Sequence, residues 1–167
     1  MAFGASSKIF SAFIHDSVNK VGTASLSSTT AKAALYNDTI TPNQVVTAAN
    51  SSYAAGVWTG GSSPNVVDTG TSGPAGWPYV GRPLVWGSAT KLTTYADATL
   101  KYDADDTVSA NAVTTVTTYG CLVYDDASTT TVDQAFCYIS FGGGAQTVTL
   151  GTFTIVWNAS GVLSIAL

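Results

Sequence analysis

The sequence is short of ionisable side chains. It contains no glutamate, one arginine (Arg82) and one histidine (His15), and charged residues make up only 10% of its 167 residues, against roughly 25% in typical domains. General acid–base catalysis draws mainly on histidine, carboxylates and lysine held in pockets. The shortage therefore argues against an enzyme and gives no reason to expect a cofactor.

Positively charged side chains are fewer than negatively charged ones, with six Lys and Arg against ten Asp. The net charge is −4 and no basic stripe is present, so we expect no direct contact with nucleic acid and no polybasic membrane contact. No apolar run reaches the ~18 residues of a membrane helix. The first eight residues lack the charged start and long apolar run of a signal peptide. These features predict a soluble protein made in a cytoplasm.

The two cysteines are too few for a disulfide scaffold or a Cys-only zinc site. A hairpin turning near residues 128–130 would place Cys121 directly opposite Cys137. Facing residues in an antiparallel pair have Cβ atoms about 4.5–5.5 Å apart, which would allow a cross-strand disulfide. The alternative, favoured in a cytoplasm, is two reduced and buried small side chains.

What the chain does contain is apolar and β-forming. Hydrophobic residues make up 46% of the sequence, and about a quarter is serine or threonine. The length predicts one domain over residues 1–167. Short Val/Thr/aromatic runs separated by Gly, Asp, Ser and Asn predict an antiparallel β-sandwich or barrel, jelly-roll-like. The predicted strands cover residues 8–14, 30–36, 84–86, 98–102, 112–124, 135–141, 146–149, 152–157 and 162–167.

Two local patterns are more specific. Thr41, Pro42 and Gln44 form a capping-box pattern that predicts one short helix over residues 42–50. At the other end of the chain, residues 152–167 predict a hairpin turning at residues 158–161. Period-two alternation places Phe153, Ile155 and Trp157 on its core face.

The aspartates offer a candidate metal site. Asp103, Asp105 and Asp106 lie close together and could offer oxygen ligands to calcium, and Asp125 with Asp126 is a similar pair. Neither group has the spacing of an EF-hand loop, and there is no glutamate to close one. Turn chemistry is the favoured alternative, because aspartate side chains bond nearby backbone amides.

Two further motifs could be functional, but a purely structural interpretation is favoured for each. His15 and Asp16 are the only His–Asp neighbours, which would suit a hydrolase, but no nucleophile elbow is present and a surface histidine at a strand end is favoured. Glycines 142–144 lack the Gly-Lys-Ser/Thr ending of a phosphate loop, so a flexible hairpin turn is predicted there.

The aromatic residues of the central region are candidates for binding. Residues 58–82 are Gly- and Pro-rich and predict a long loop, and long ordered loops are often functional. Trp58, Trp77, Tyr79 and Trp86 flank or occupy it. Exposed Trp and Tyr side chains are typical anchors for a partner. The alternative is that they fold back and cap the core.

Several stretches of the sequence resemble small β-rich virion proteins of tailed bacteriophages, especially those of actinobacteria. The resemblance covers most of the chain but includes no catalytic signature. It is carried by residues 34–42 (ALYNDTITP), 102–109 (YDADDTVS), 119–126 (YGCLVYDD) and 151–157 (GTFTIVW).

This resemblance implies a capsid decoration or minor capsid protein. Such a protein would be located on the capsid exterior of the virion, bind the major capsid protein and reinforce the shell without catalysis. It would form a homo-oligomer, for which a trimer suits local threefold positions. Residues 1–14 would be a contact arm and residues 58–82 a second contact region. The expected partner contacts are Phe3, Ile9, Phe10, Phe13, Trp58, Trp77, Tyr79 and Trp86.

Two other functions remain open from the sequence. The first is a phage tail or host-recognition protein with a carbohydrate site near Trp58, Trp77 and Tyr79. The second is a hydrolase that uses His15 and an aspartate.

Overall fold

The computed structural model describes residues 6–22, 24–26, 30–60, 76–78, 80–85, 94–96, 99–109 and 113–166. Within them the protein is mainly β, with two short helices. The strands are β1 Lys8–Ile9, β2 Ala31–Tyr36, β3 Arg82–Pro83, β4 Thr94–Ala96, β5 Thr99–Tyr102, β6 Thr107–Val108, β7 Val113–Thr118, β8 Gly120–Asp125, β9 Ala135–Ser140, β10 Gln146–Gly151, β11 Thr154–Ile155 and β12 Leu163–Ala166. The helices are α1 Ser11–Asn19 and α2 Ala48–Ser51.

Every pairing between described strands is antiparallel. The main sheet has the order β1-β9-β8-β2-β3, and smaller sheets pair β10 with β7, β11 with β6, and β12 with β5 and β4. This arrangement confirms the predicted fold class, a mainly β, sandwich-like architecture. No helix in the described ranges is long and apolar enough to span a membrane.

The centre of the main sheet is buried on both faces. All six residues of β8 are buried, and so are five of the six in β2. A strand that is covered on both sides needs no alternation of polar and apolar residues. Residues 112–124 are rich in β-forming residues throughout, and they were predicted as one continuous strand. The chain instead breaks at Tyr119, and β7 and β8 belong to different sheets.

The first predicted strand is correct for two residues and wrong after them. Only Lys8–Ile9 pairs with β9, and helix α1 follows from Ser11. Phe10 and Phe13 are buried and Ile14 packs against the same core. These residues are spaced i, i+3 and i+4, as on one face of a helix. In so short an apolar run, this spacing is not distinguishable from a strand pattern.

The predicted helix over residues 42–50 is largely wrong, since helix α2 covers only Ala48–Ser51. The Asn43 side chain accepts a hydrogen bond from the backbone N–H of Val45 (3.0 Å), which is a turn. The carbonyl of Gln44 accepts bonds from the N–H and the hydroxyl of Ser11, each 3.0 Å. Side-chain bonding and a tertiary contact thus take the groups that a helix would use.

The predicted C-terminal hairpin is correct in its turn and wrong in its strand pairing. The turn exists, because the N–H of Gly161 donates to the carbonyl of Asn158 at 2.7 Å and Gly161 has a φ of 93°. The two strands do not pair with each other, however. β11 pairs with β6 and β12 pairs with β5, so the turn joins two sheets.

Candidate functional site

The tryptophans expected to contact a partner lie inside the molecule. Trp58 and Trp77 are both 0% exposed. Phe10 and Phe13, which were also expected to make partner contacts, belong to the same buried core. These four side chains therefore offer no surface to a partner in this structure. For the two tryptophans, the alternative of capping the core describes what is seen.

Trp58 closes an aromatic cluster over the main sheet. Its ring centroid lies 5.2 Å from that of Tyr36, 6.0 Å from Phe10 and 5.7 Å from Tyr138. The Tyr36 hydroxyl donates to the carbonyl of Thr59 at 3.1 Å. The start of the 58–82 region is thereby fixed to strand β2, and burial raises the pKa of Tyr36 far above its usual value.

Trp77 fixes the end of the same region to the same strand. Its indole N–H donates to the carbonyl of Ala33 at 2.9 Å, and its ring packs edge-on against Phe153 at 5.5 Å. Gly81 follows with a φ of 79°, where an added Cβ would lie 2.2 Å from the Ala33 oxygen. Backbone this close leaves room only for glycine.

Of the remaining residues that were expected to contact a partner, one is described by the structure and three are not. Ile9 is half-buried and packs against the core. Phe3, Tyr79 and Trp86 lie outside the described residues, as do residues 61–75 of the predicted loop.

The two cysteines are free and buried. Cys121 faces Ile139 and Cys137 faces Val123, so the predicted register was wrong by two residues. A shift of two keeps both side chains on one face of the sheet, in diagonal positions. Burial raises the pKa of the Cys137 thiol to about 12, and burial with the neighbouring Cys137 raises the pKa of Cys121. We therefore expect both thiols to be unreactive in the folded protein.

The aspartates accept hydrogen bonds from nearby backbone, as the turn interpretation predicted, and also from residues distant in the sequence. Asp103 accepts a hydrogen bond from the N–H of Ala104 (2.9 Å), and Asp106 accepts one from the N–H of Trp157 (3.2 Å). Buried Asp125 accepts bonds from the Thr30 hydroxyl (2.6 Å) and the Ser25 N–H (3.1 Å). Within the described ranges, no group of three or more metal-binding side chains could hold an ion.

His15 lies on helix α1, not at a strand end, and 69% of its side chain is exposed. Its Nδ1 is 3.0 Å from Oδ1 of Asp16. The other oxygen of Asp16 accepts a hydrogen bond from Nε2 of Gln134 at 2.8 Å. The carboxylate thus ties the helix to the residue before β9, which agrees with a surface histidine. Glycines 142–144 form a turn, with positive φ at Gly142 and Gly143.

A groove that the sequence did not reveal is lined by the end of β9 in the main sheet and by parts of the small sheets. It encloses about 730 Å³. Its lining includes residues 139–141, 146–148 and 152–158, and we call residues 152–158 the edge segment. Ser7, Gly161 and Val162 complete the lining. None of the described residues that line the groove has an ionisable side chain. An adjoining groove of about 440 Å³ shares Ser7, Ile139 and Val162 with it.

The edge segment shows the alternation that the sequence predicted. Phe153, Ile155 and Trp157 are buried, whereas Thr154 and Val156 are exposed, Val156 at 72%. This part of the prediction is confirmed. The lining of the groove therefore combines these apolar side chains with the hydroxyl and amide groups of Ser, Thr, Gln and Asn residues.

The backbone of the edge segment is satisfied on one side only. The Phe153 carbonyl accepts from the N–H of Ser109 (2.9 Å), and the Phe153 N–H donates to the Ser109 hydroxyl (3.1 Å). Successive residues of a strand direct their backbone groups to opposite sides. Those of residues 152, 154 and 156 therefore face the groove, and they bond to no other residue in the part of the chain that is described.

This geometry was not readable from the sequence, because it depends on which strands pair. The pattern of residues 152–157 gave the buried face but not the unpaired edge. No family model, curated protein or solved structure matches this chain.

Proposed function

We propose that this chain is a non-enzymatic structural protein of a tailed-phage virion, which decorates the capsid exterior and reinforces it. Its mechanism is contact energy summed over many copies, each touching the major capsid protein and its own neighbours. Interfaces of this kind bury on the order of 800 Å² per partner.

The observation that carries this proposal is the groove. Among the described residues it combines apolar side chains and an unpaired strand edge with a lining that has no ionisable side chain. An unpaired edge recognises polypeptide backbone, because each N–H and C=O can bond to an added strand. A groove without acids, bases or nucleophilic thiols suits adhesion better than the making or breaking of bonds.

Exposed valines support the same function. In the described ranges Val18, Val45, Val132 and Val156 are each at least 67% exposed. Scattered exposed apolar residues are normal on their own. On a chain with so few charges, they leave much of the surface suited to contact with other proteins.

The host-recognition alternative has lost part of its basis. It located a carbohydrate site near Trp58, Trp77 and Tyr79, and the first two side chains are buried in the core. The hydrolase alternative relied on His15, whose partner Asp16 is also bonded to Gln134.

Co-sedimentation tests the proposal. Purified protein is mixed with empty capsids of the phage that encodes it and is pelleted, and binding is compared with that to purified host envelope. We expect saturable binding to capsids and background binding to envelope. Capsid binding no higher than background, or saturable binding to envelope, would contradict the proposal.

A further inference from the structure

Leu150 combines two features that are unfavourable in the isolated molecule. Its φ is 52°, in the left-handed region that residues with a side chain rarely adopt. Its side chain is 78% exposed, the largest value among the exposed large apolar residues of the described ranges. The side chain therefore gains little from burial within this chain, while the backbone bears strain.

The other described non-glycine residues with a positive φ have a local reason for it. Lys20 is the left-handed cap that ends helix α1, and Ala54 lies in a turn just after helix α2. Asp133 is of a residue type that adopts this region readily. Leu150 lies inside strand β10, and pairing with β7 continues on both sides of it. Strain that neither a cap nor a turn explains points to a function for the residue.

The chain that follows Leu150 offers unpaired backbone. Residues 153 and 155 pair with β6 and the residue after it. The backbone groups of residues 152, 154 and 156 point to the other side of the strand, and they bond to no residue in the described ranges. N–H and C=O groups at this spacing are complementary to the backbone of an added strand.

The surroundings of this edge favour an uncharged partner. Residues 152, 154 and 156 present two threonines and a valine, all exposed. None of the described residues that line the adjoining groove is ionisable. A charged side chain on an added strand would lose water here without gaining a counter-ion. An apolar or β-branched side chain would instead bury apolar surface on Leu150 and Val156.

We propose that Leu150 and the edge of residues 152–156 form a docking surface for an extended, uncharged segment of a partner protein. The segment adds to the edge as a strand and covers the Leu150 side chain. This inference rests on the proposed function for the identity of the partner, the major capsid protein. Binding offsets the strain at Leu150, because the complex removes its exposed side chain from water.

A neutral peptide tests the edge. The probe is acetyl-Thr-Val-Thr-Val-Thr-Val-Thr-amide, whose seven residues span about 23 Å and match the length of residues 150–156. It is titrated into ¹⁵N-labelled protein while amide NMR signals are recorded. We expect saturable shifts of the signals of residues 152, 154 and 156. No shift at these residues would overturn the inference.

Two altered peptides test what the edge recognises. The same peptide with every amide N-methylated cannot donate to the edge, and we expect at least tenfold weaker binding. A peptide in which one central Thr is Lys and the next is Asp keeps a net charge of zero but carries two charged side chains, and it should also bind more weakly. Equal affinity of either altered peptide and the probe would contradict the inference.

A backbone substitution tests the edge from the side of the protein. Thr154→Pro removes the N–H at the centre of the edge, and edge strands tolerate proline. The matched Thr154→Val keeps this N–H and removes only the hydroxyl. The peptide should bind Thr154→Val as it binds the natural sequence and Thr154→Pro at least tenfold more weakly. Unchanged binding by Thr154→Pro with a native circular dichroism spectrum would overturn the inference.

Leu150→Asn tests the exposed side chain. Asparagine adopts a positive φ readily, so the melting temperature should rise by about 3 °C, while the affinity for the peptide should fall at least tenfold. Leu150→Met keeps both the apolar surface and the strain, and it should change neither value. A Leu150→Asn variant that binds the peptide as tightly as the natural sequence, or that melts at a lower temperature, would contradict the role of Leu150.

Ala54→Gly is the matched control for relief of strain. Ala54 is exposed and has a φ of 62°, so this variant should also melt at a higher temperature but should keep its affinity for the peptide. An equal loss of affinity in Ala54→Gly would show that relief of strain anywhere weakens binding, which overturns the assignment of the site to Leu150.

The two proposals fail separately. Peptide binding at the edge without binding to capsids would contradict decoration and leave the docking surface standing. Capsid binding that Leu150→Asn and Thr154→Pro leave unchanged would do the reverse.

Discussion

Single residues in this protein are constrained mainly by backbone proximity and burial. The aromatic side chains that seemed suited to a partner are used to hold residues 58–59 and 77–78 against strand β2. Composition alone could not decide between these roles, since an exposed anchor and a buried cap have the same residue type. The deciding contacts, such as Trp77 with the Ala33 carbonyl, join residues 44 positions apart.

Replacing Gly81 with alanine should lower the stability of the fold strongly, although it adds only one methyl group. In Gly81→Ala the new Cβ would lie 2.2 Å from the Ala33 oxygen at a φ of 79°. We expect the free energy of unfolding, measured by urea denaturation, to fall by about 2 kcal/mol or more. The matched control is Gly144→Ala, where no atom lies within 4 Å and the change should stay within about 0.5 kcal/mol. Equal stability of the two variants would contradict this account.

The thiols should be inert in the folded protein. Burial raises the pKa of Cys137 to about 12 and raises that of Cys121 as well. The thiolate is the reactive form, so Ellman's reagent at pH 8 should titrate neither thiol in the native state and both in guanidinium. Rapid reaction of one thiol before unfolding would count against the described core.

At the scale of elements, the sequence predicted which face of a strand is buried better than it predicted which strands pair. Alternation correctly identified the buried face of residues 153–157, and strands β2, β5, β9 and β12 lie close to where they were predicted. Pairing was not predictable in the same way. The turn at residues 158–161 joins two sheets because β11 and β12 each find a longer-range partner, which no local pattern encodes.

The loop between β8 and β9 should carry a small dependence of stability on pH. The pKa of Asp133 is raised, first by desolvation and then by the negative charge of Asp126. A raised acid pKa means that the folded state holds the proton more tightly than the unfolded chain. Stability is therefore lost as pH rises from the unfolded value through the folded one.

Asp133→Asn removes that charge. The melting temperature of the variant should exceed that of the natural sequence by more at pH 7 than at pH 3, where Asp133 is protonated. Asp133 has a φ of 54°, which asparagine adopts readily, so part of any gain will be independent of pH. The difference between the two pH values isolates the charge, and an identical gain at both would contradict its role.

At the scale of the whole molecule, the few charges and the unpaired edge lead to the same interpretation. Phe13 of helix α1 and the Trp58 cluster belong to the core beside the main sheet, and the described residues leave a groove whose lining includes residues 139–141 and 152–158. Monomeric β-proteins usually protect such edges with charge, proline or a covering loop. Here the edge borders a groove whose described lining has no ionisable side chain, which is consistent with the proposed contact with other proteins.

Electron cryo-microscopy of virions tests the central claim most directly. Virions of the encoding phage are imaged with this protein labelled by a small fused tag at its C-terminus. The account predicts label on the outside of the head, in multiple copies at symmetry-related positions. Label confined to the tail, or virions that carry none, would contradict it.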